Sequence, residues 1–191
     1  MSVPAMVRLA VLGAVIAAAS ACASAPRGPY NPPAEGERST TKAEQLNREA
    51  ADLLERDPTK AEELLRAALS HDVFFGPAHN NLGVLFLKRQ KLYEAANEFE
   101  WARKLMPGHP DPRVNLGICL EQAGRVDEAI ASYETALQVW PDYLPAIQGL
   151  AVLTARAGRE DERFAGWLDA IAARCDEGPW RGWARARSLR P

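Results

Sequence analysis

Gly76-Pro77-Ala78-His79-Asn80-Asn81-Leu82-Gly83-Val84-Leu85-Phe86-Leu87-Lys88 is answered 34 residues later by Pro110-Asp111-Pro112-Arg113-Val114-Asn115-Leu116-Gly117-Ile118-Cys119-Leu120-Glu121-Gln122. The landmarks keep that interval: Leu82-Gly83 returns as Leu116-Gly117, Phe86 as Leu120, Ala95 as Ala129, Phe99 as Tyr133, Ala102 as Ala136, and Pro107 as Pro141. Within each copy these residues fall three or four apart in two runs, with Gly124-Arg125 at the turn of the second copy, which predicts two helices per copy. Gly83 and Ala95 are small, so two antiparallel helices can approach while Phe86 and Phe99 fill the space beside them. Leu82, Ala102 and Pro107, with Leu116, Gly117, Leu120, Ala129, Tyr133, Ala136 and Pro141 in the second copy, complete the expected packing set.

Leu-Gly, a large apolar residue three further on, Ala-x-x-x-Phe or Tyr, and a closing Pro, all at a 34-residue period, resemble the tetratricopeptide family. The resemblance implies an all-α chain, a right-handed α-solenoid of antiparallel helix pairs with about three and a half repeats and a C-terminal capping helix. The two copies depart from the family at His79 and Arg113, where Trp is common.

Working outward, residues 40–75 read as a degenerate first repeat, 76–109 and 110–143 as full repeats, 144–177 as a degenerate or capping repeat, and 178–191 as an Arg/Trp-rich tail. In the first unit, Thr41 with Glu44 forms a capping-box pattern for a helix to about Arg56, Asp57-Pro58 breaks it, and a second helix runs from Thr59 to about His71 with Ala61, Leu65 and Ala68. In the fourth, Ile147, Leu150 and Ala151 stand in register, Gly158-Arg159 marks the turn, and Arg163 replaces the small Ala while Trp167 and Ala170 keep the stripe. Gly178-Pro179 ends it, and Trp180 to Arg190 reads as a short helix whose Trp180 and Trp183 cover the last repeat.

At the other end, Arg8, the apolar run Leu9 to Ala19 and Ala19-Ser20-Ala21 give residues 1–21 the order of an export signal, with a run too short for a comfortable membrane span. Ala19-Ser20-Ala21-Cys22 resembles a bacterial lipobox, although Ala19 stands where Leu is commonest, and this implies that Cys22 is acylated after cleavage. The same small residues would serve an ordinary cleavage site releasing a soluble periplasmic protein. Ala23 and Ser24, with no Asp beside Cys22, imply by resemblance an outer-membrane lipoprotein facing the periplasm. Residues 22–39, with Pro26, Pro29, Pro32 and Pro33, form an extended tether able to reach about 50 Å.

The whole sequence holds 191 residues at a formal net charge of −2, so no overall field favours nucleic acid. Its three cysteines are too few for a disulfide framework, and no Cys or His pair has metal-ligand spacing. No nucleophile stands with a base and no phosphate loop is present, so neither enzyme activity nor a cofactor is expected. His71, His79 and His109 read as capping or core residues, and Cys119 as a small buried one with Cys175 as its conceivable oxidative partner.

In the family the first helix of each pair lines a concave groove. The residues facing away from the core are Asn80, Val84, Leu87 and Lys88 in the second unit, then Val114, Ile118, Glu121 and Gln122 in the third. Gln148, Val152, Ala155 and Arg156 follow in the fourth, with Asn47, Ala51, Leu54 and Glu55 in the first. One apolar stripe edged by amides and single charges suits a protein partner offering an extended peptide or an amphipathic helix; the other reading is packing between the helices or by the chain's own tail. The carboxylate clamp of some eukaryotic members is absent, since Val84, Pro145 and Gly149 take the places of its donors. The expectation is an envelope adaptor bound to the membrane through Cys22, of the kind that assists pilus, secretion or cell-wall assembly. The alternative is a regulatory module of a cell-wall enzyme, and the oligomeric state is left open.

Overall fold

The computed structural model describes residues 38–176 and 178–189, so the expected export signal, Cys22 and the expected tether as far as residue 37 lie outside the described residues. The described residues form nine helices and no strand: α1 (Thr40–Leu53), α2 (Pro58–His71), α3 (Gly76–Lys88), α4 (Leu92–Leu105), α5 (Asp111–Gln122), α6 (Val126–Val139), α7 (Leu144–Ala157), α8 (Arg163–Arg174) and α9 (Pro179–Ser188). Each helix packs on the next, and in addition α1 touches α3, α3 touches α5 and α5 touches α7. The even helices make no such approach to one another. A stack whose odd members meet while its even members splay apart is curved, with α1, α3, α5 and α7 on the inner side.

Shape complementarity sets the spacing in the middle of the stack. A β-carbon on Gly83 would lie 2.6 Å from the Phe99 ring, and one on Gly117 would lie 2.6 Å from the Tyr133 ring. Tyr133 also fills the place of a side chain on Gly149, in the following repeat, again at 2.6 Å. Phe99, Tyr133, Leu82, Ala95, Ala102, Ala129 and Ala136 are all but fully buried, while Phe86, Leu116 and Leu120 keep less than a tenth of their surface. Pro107 and Pro141 depart from the expected packing set because both are exposed. They follow the C-caps Met106 and Trp140, where a residue lacking an N–H ends α4 and α6 without entering the core.

The turns between paired helices repeat a left-handed residue at the same interval: Gln90 (φ 59°), Gly124 (φ 75°) and Gly158 (φ 63°). After each, the next N–H reaches back to the helix it leaves, from Lys91 to the Phe86 carbonyl at 2.9 Å, from Arg125 to Leu120 at 2.9 Å and from Arg159 to Thr154 at 3.0 Å. Two of the three positions carry glycine, which adopts this conformation without strain, and Gln90 does not.

The ends of the stack differ from the sequence reading. Ser39, not Thr41, caps α1 by accepting from the Lys42 N–H at 3.3 Å, and Glu44 pairs with Arg48 instead of closing a capping box. The helix stops at Leu53, short of Arg56, and Pro58 is the first residue of α2, capped by Asp57. Asp72 then fastens the two helices: fully buried, it accepts from the Thr40 hydroxyl at 2.8 Å and the Phe74 N–H at 3.0 Å, and pairs with Arg38 at 2.7 Å.

At the far end the register slips. In α4 and α6 the buried residues are Ala95, Glu98, Phe99 and Ala102, then Ala129, Ser132, Tyr133 and Ala136. In α8 they are Phe164, Trp167, Leu168 and Ile171, each one residue beyond the place that the repeat interval gives. Arg163 thereby turns out to solvent, where it pairs with Asp161 and Glu134, and Ile171 takes the core place expected of Ala170.

Candidate functional site

The inner row of α1, α3, α5 and α7 presents the predicted stripe to differing degrees. Leu54, Val84, Leu87, Ile118, Val152 and Ala155 are half-buried, and Ala51 is exposed. Adjacent inner helices touch, so each stripe residue is shaded by its neighbours without being enclosed.

The amides at the edge are occupied between repeats. Asn81 donates to Asn47 at 2.9 Å, and Asn115 donates to Asn80 at 2.9 Å, two rungs of one ladder. The third rung would join Val114 to Gly149, and neither can make it. Val114 accordingly departs from the expected groove set, being only 6% exposed, because a position without an amide partner goes to packing, and Tyr133 fills the space left at Gly149. The charges at the edge also pair across repeats, Lys88 with Glu55 and Arg156 with Glu121 at 2.8 Å. Gln122 accepts from Gln90 at 3.1 Å, and Gln148 donates to the Cys175 sulfur at 3.3 Å. What the row leaves open is hydrocarbon bordered by paired charges.

The histidine at the unusual position has a structural task. His79, 1% exposed, places Nδ1 2.6 Å from Glu98 Oε2 and donates through Nε2 to the Val73 carbonyl at 2.8 Å. Its ring stacks on the Trp101 indole of α4 at 5.9 Å. One repeat later the same two positions are Arg113 and Ser132, and the Ser132 hydroxyl donates to the Arg113 carbonyl at 2.9 Å. Sequence reading found no carboxylate for His79 because Glu98 lies 19 residues away on the paired helix.

Cys119 and Cys175 are not bonded; Cys119 is buried and its thiol, pushed up by burial, donates to the Leu92 carbonyl at 3.1 Å. Burial, with Glu121 beside it, likewise raises the Tyr133 hydroxyl well above its ordinary value, and that hydroxyl donates to Glu121 at 3.4 Å. Both groups are thus held protonated, which suits packing. Among the described residues no group of three His, Cys, Asp or Glu side chains could hold a metal, and no helix is long and apolar enough to cross a membrane.

The C-terminal helix corrects one expectation. Of its residues it is Ala184 that α9 buries, against the last repeat, while Trp180 remains 41% exposed and Trp183 half-buried. The two indoles meet edge to face at 6.2 Å and stand beside α7.

With this geometry in place, comparison with known proteins gives a consistent picture. The tetratricopeptide repeat model matches residues 80–143. A crystal structure of MamA superimposes with a TM-score of 0.61 at 22% identity, covering 67% of this chain and 77% of that one. The first tetratricopeptide domain of Spaghetti (RPAP3), bound to the HSP90 peptide SRMEEVD, gives 0.60 at 15% identity, covering 64% of this chain and 98% of that one. A mutant O-GlcNAc transferase of Thermobaculum terrenum gives 0.64 at 27% identity over 71% of this chain, which spans only 27% of the transferase. No curated protein matches the chain. The shared fold, the 34-residue period and the small-against-large contacts at Gly83 and Gly117 agree: residues 80–143 match the tetratricopeptide repeat, within an all-α solenoid of tetratricopeptide type.

Proposed function

We propose that this chain is a protein-binding adaptor of the bacterial envelope, holding an extended peptide or amphipathic helix along α1, α3, α5 and α7, and fixed to the outer membrane by a lipid on Cys22. The observation that carries the reading is the half-open hydrocarbon stripe of Leu54, Val84, Leu87, Ile118 and Val152, which crosses every repeat on the inner side. Because Asn47 and Asn80 are engaged in the ladder, the partner is recognised by apolar side chains rather than by amides gripping its backbone. A peptide-bound relative of the same fold supports the choice of ligand class. The adaptor works without chemistry of its own.

The test is Leu87→Glu combined with Ile118→Glu, compared with the wild type by crosslinking in envelopes and mass spectrometry. Both side chains are half-exposed, so helicity and melting temperature stay close to wild type while partner crosslinks are lost. Undiminished crosslinks remove the inner row as the binding surface. For the anchor, the mature protein carries acyl groups on Cys22 and Cys22→Ala leaves the membrane fraction; an unmodified Cys22 at the mature terminus defeats that part of the reading.

A further inference from the structure

The inner row does not close uniformly. Each of α3, α5 and α7 touches the inner helix before it, whereas α9, which packs on α8 in the place of the next inner helix, makes no backbone approach to α7. Between α7 and α9 a cleft of about 500 Å³ opens, within the range of sites that enclose small ligands or a few side chains. Val152 and Ala155 of the stripe form one wall, and Trp180, Trp183 and Ala186 of α9 form the other, so the cleft continues the stripe at its C-terminal end.

Its charge is one-sided. The charged residues lining it are Arg156 and Arg187, and neither α7 nor α9 contains a carboxylate, while α9 adds Arg181 and Arg185. Arg156 and Arg187 are held by Glu121 and Glu160, which belong to other parts of the chain and are not among the cleft's lining residues. Both charged side chains of the lining are thus guanidiniums, each paired with a carboxylate from outside the cleft. Exposed ion pairs of this kind exchange readily for a carboxylate brought by a ligand, since each contributes little to stability. Two tryptophans at right angles over an aliphatic floor offer a bulky side chain the kind of enclosure that makes an anchor. A lipid surface fits less well, because the indoles turn toward α7 and line a cleft instead of forming an outward stripe.

We propose that the cleft between α7 and α9 is the anchor pocket for an acidic peptide, taking one bulky apolar side chain between Trp180, Trp183 and Val152 while flanking carboxylates meet Arg156 and Arg187. This deepens the reading of the inner row as a peptide groove and rests on it. It gives that groove a polarity: partner specificity resides at the C-terminal end, and the stripe through α3 and α5 supplies contact area.

The test is a displayed random-peptide library selected on the full chain, with affinities of the selected peptides measured for the wild type, Trp183→Ala, Arg156→Glu and the Leu87→Glu/Ile118→Glu pair. The expected winners carry a bulky apolar residue beside two or more acidic ones, and either Trp183→Ala or Arg156→Glu weakens them about tenfold or more. Arg156 is exposed, so its variant keeps the fold even where the tryptophan variant does not. Winners weakened only by the Leu87/Ile118 pair leave the groove standing and overturn the pocket. Winners unaffected by any variant overturn both. A basic or proline-rich consensus, or binding of α9 to phosphatidylglycerol vesicles with no peptide preference, overturns the proposed ligand.

Discussion

In the pairs α3–α4 and α5–α6 a glycine on one helix meets an aromatic ring on the other, whereas α1–α2 and α7–α8 lack that contact within the pair and add ion pairs to their apolar packing. In the middle, Phe99 and Tyr133 press into spaces that exist only because Gly83, Gly117 and Gly149 lack side chains. At the N-terminal end, Asp72 gathers Arg38, Thr40 and the Phe74 N–H around one buried carboxylate. At the C-terminal end, Arg159, Arg163 and Arg187 reach Asp127, Glu134 and Glu160 on the surface. The difference teaches what the period demands: a strict interval is needed where a helix has repeats on both sides, and it relaxes where one side meets water.

The sharpest way to break this contrast is to exchange residues at one repeat position. Ala129 is fully buried and Arg163, 34 residues later, is exposed. Ala129→Arg therefore costs about 4 kcal/mol or more and unfolds the middle of the stack in thermal melts, because it buries a bulky unpaired charge. Arg163→Ala, by contrast, costs about 0.5 kcal/mol or less, as expected for exposed pairs.

Next in size is Asp72→Ala, which leaves the N-terminal tie undone at about 2–3 kcal/mol. Burial on its own would raise the Asp72 carboxyl, but hydrogen bonds from Arg38, Thr40 and the Phe74 N–H outweigh it and hold the group below its ordinary value. A carboxyl that titrates lower when folded stabilises fully above its unfolded value near pH 4, and the stabilisation is lost as pH falls through the folded value. Urea melts at falling pH thus show the wild type converging on Asp72→Ala, and parallel curves would contradict the assignment.

Two glycines sharpen the comparison further. Gly117→Ala drives a β-carbon to 2.6 Å from Tyr133 and costs about 1–3 kcal/mol, while Gly166→Ala on α8 meets nothing within 4 Å and stabilises by about 0.5–1 kcal/mol. An effect as small as that of Gly166→Ala is expected at the turns. Gln90→Gly relieves a left-handed residue and raises stability by about 0.5–1 kcal/mol, less any contribution from its exposed bond to Gln122.

The helix pairs of the middle were readable because Leu82, Gly83, Ala95 and Phe99 recur intact, and a small residue recurring opposite a large one is what close approach of two helices requires. Asp72 and the His79–Glu98 pair were not readable, since a buried polar contact between helices leaves no periodic trace in a single copy. The slip of α8 was visible in principle: Phe164, Trp167, Leu168 and Ile171 stand at i, i+3, i+4 and i+7, but the repeat interval points to Arg163 instead. On the inner row the stripe was legible from the interval, whereas the burial of Val114 was not, since a valine reads alike in a groove and in a core.

Amide hydrogen exchange across the full chain tests the contrast most directly, since it reads the opening of each helix pair separately. The account predicts that α3 to α6 exchange slowest and as one unit, that α1–α2 and α7–α8 open before them, and that lowering the pH toward 4 speeds exchange in α1–α2 first. Slower exchange in α8 and α9 than in α4 and α6, or one uniform rate along the chain, would contradict it.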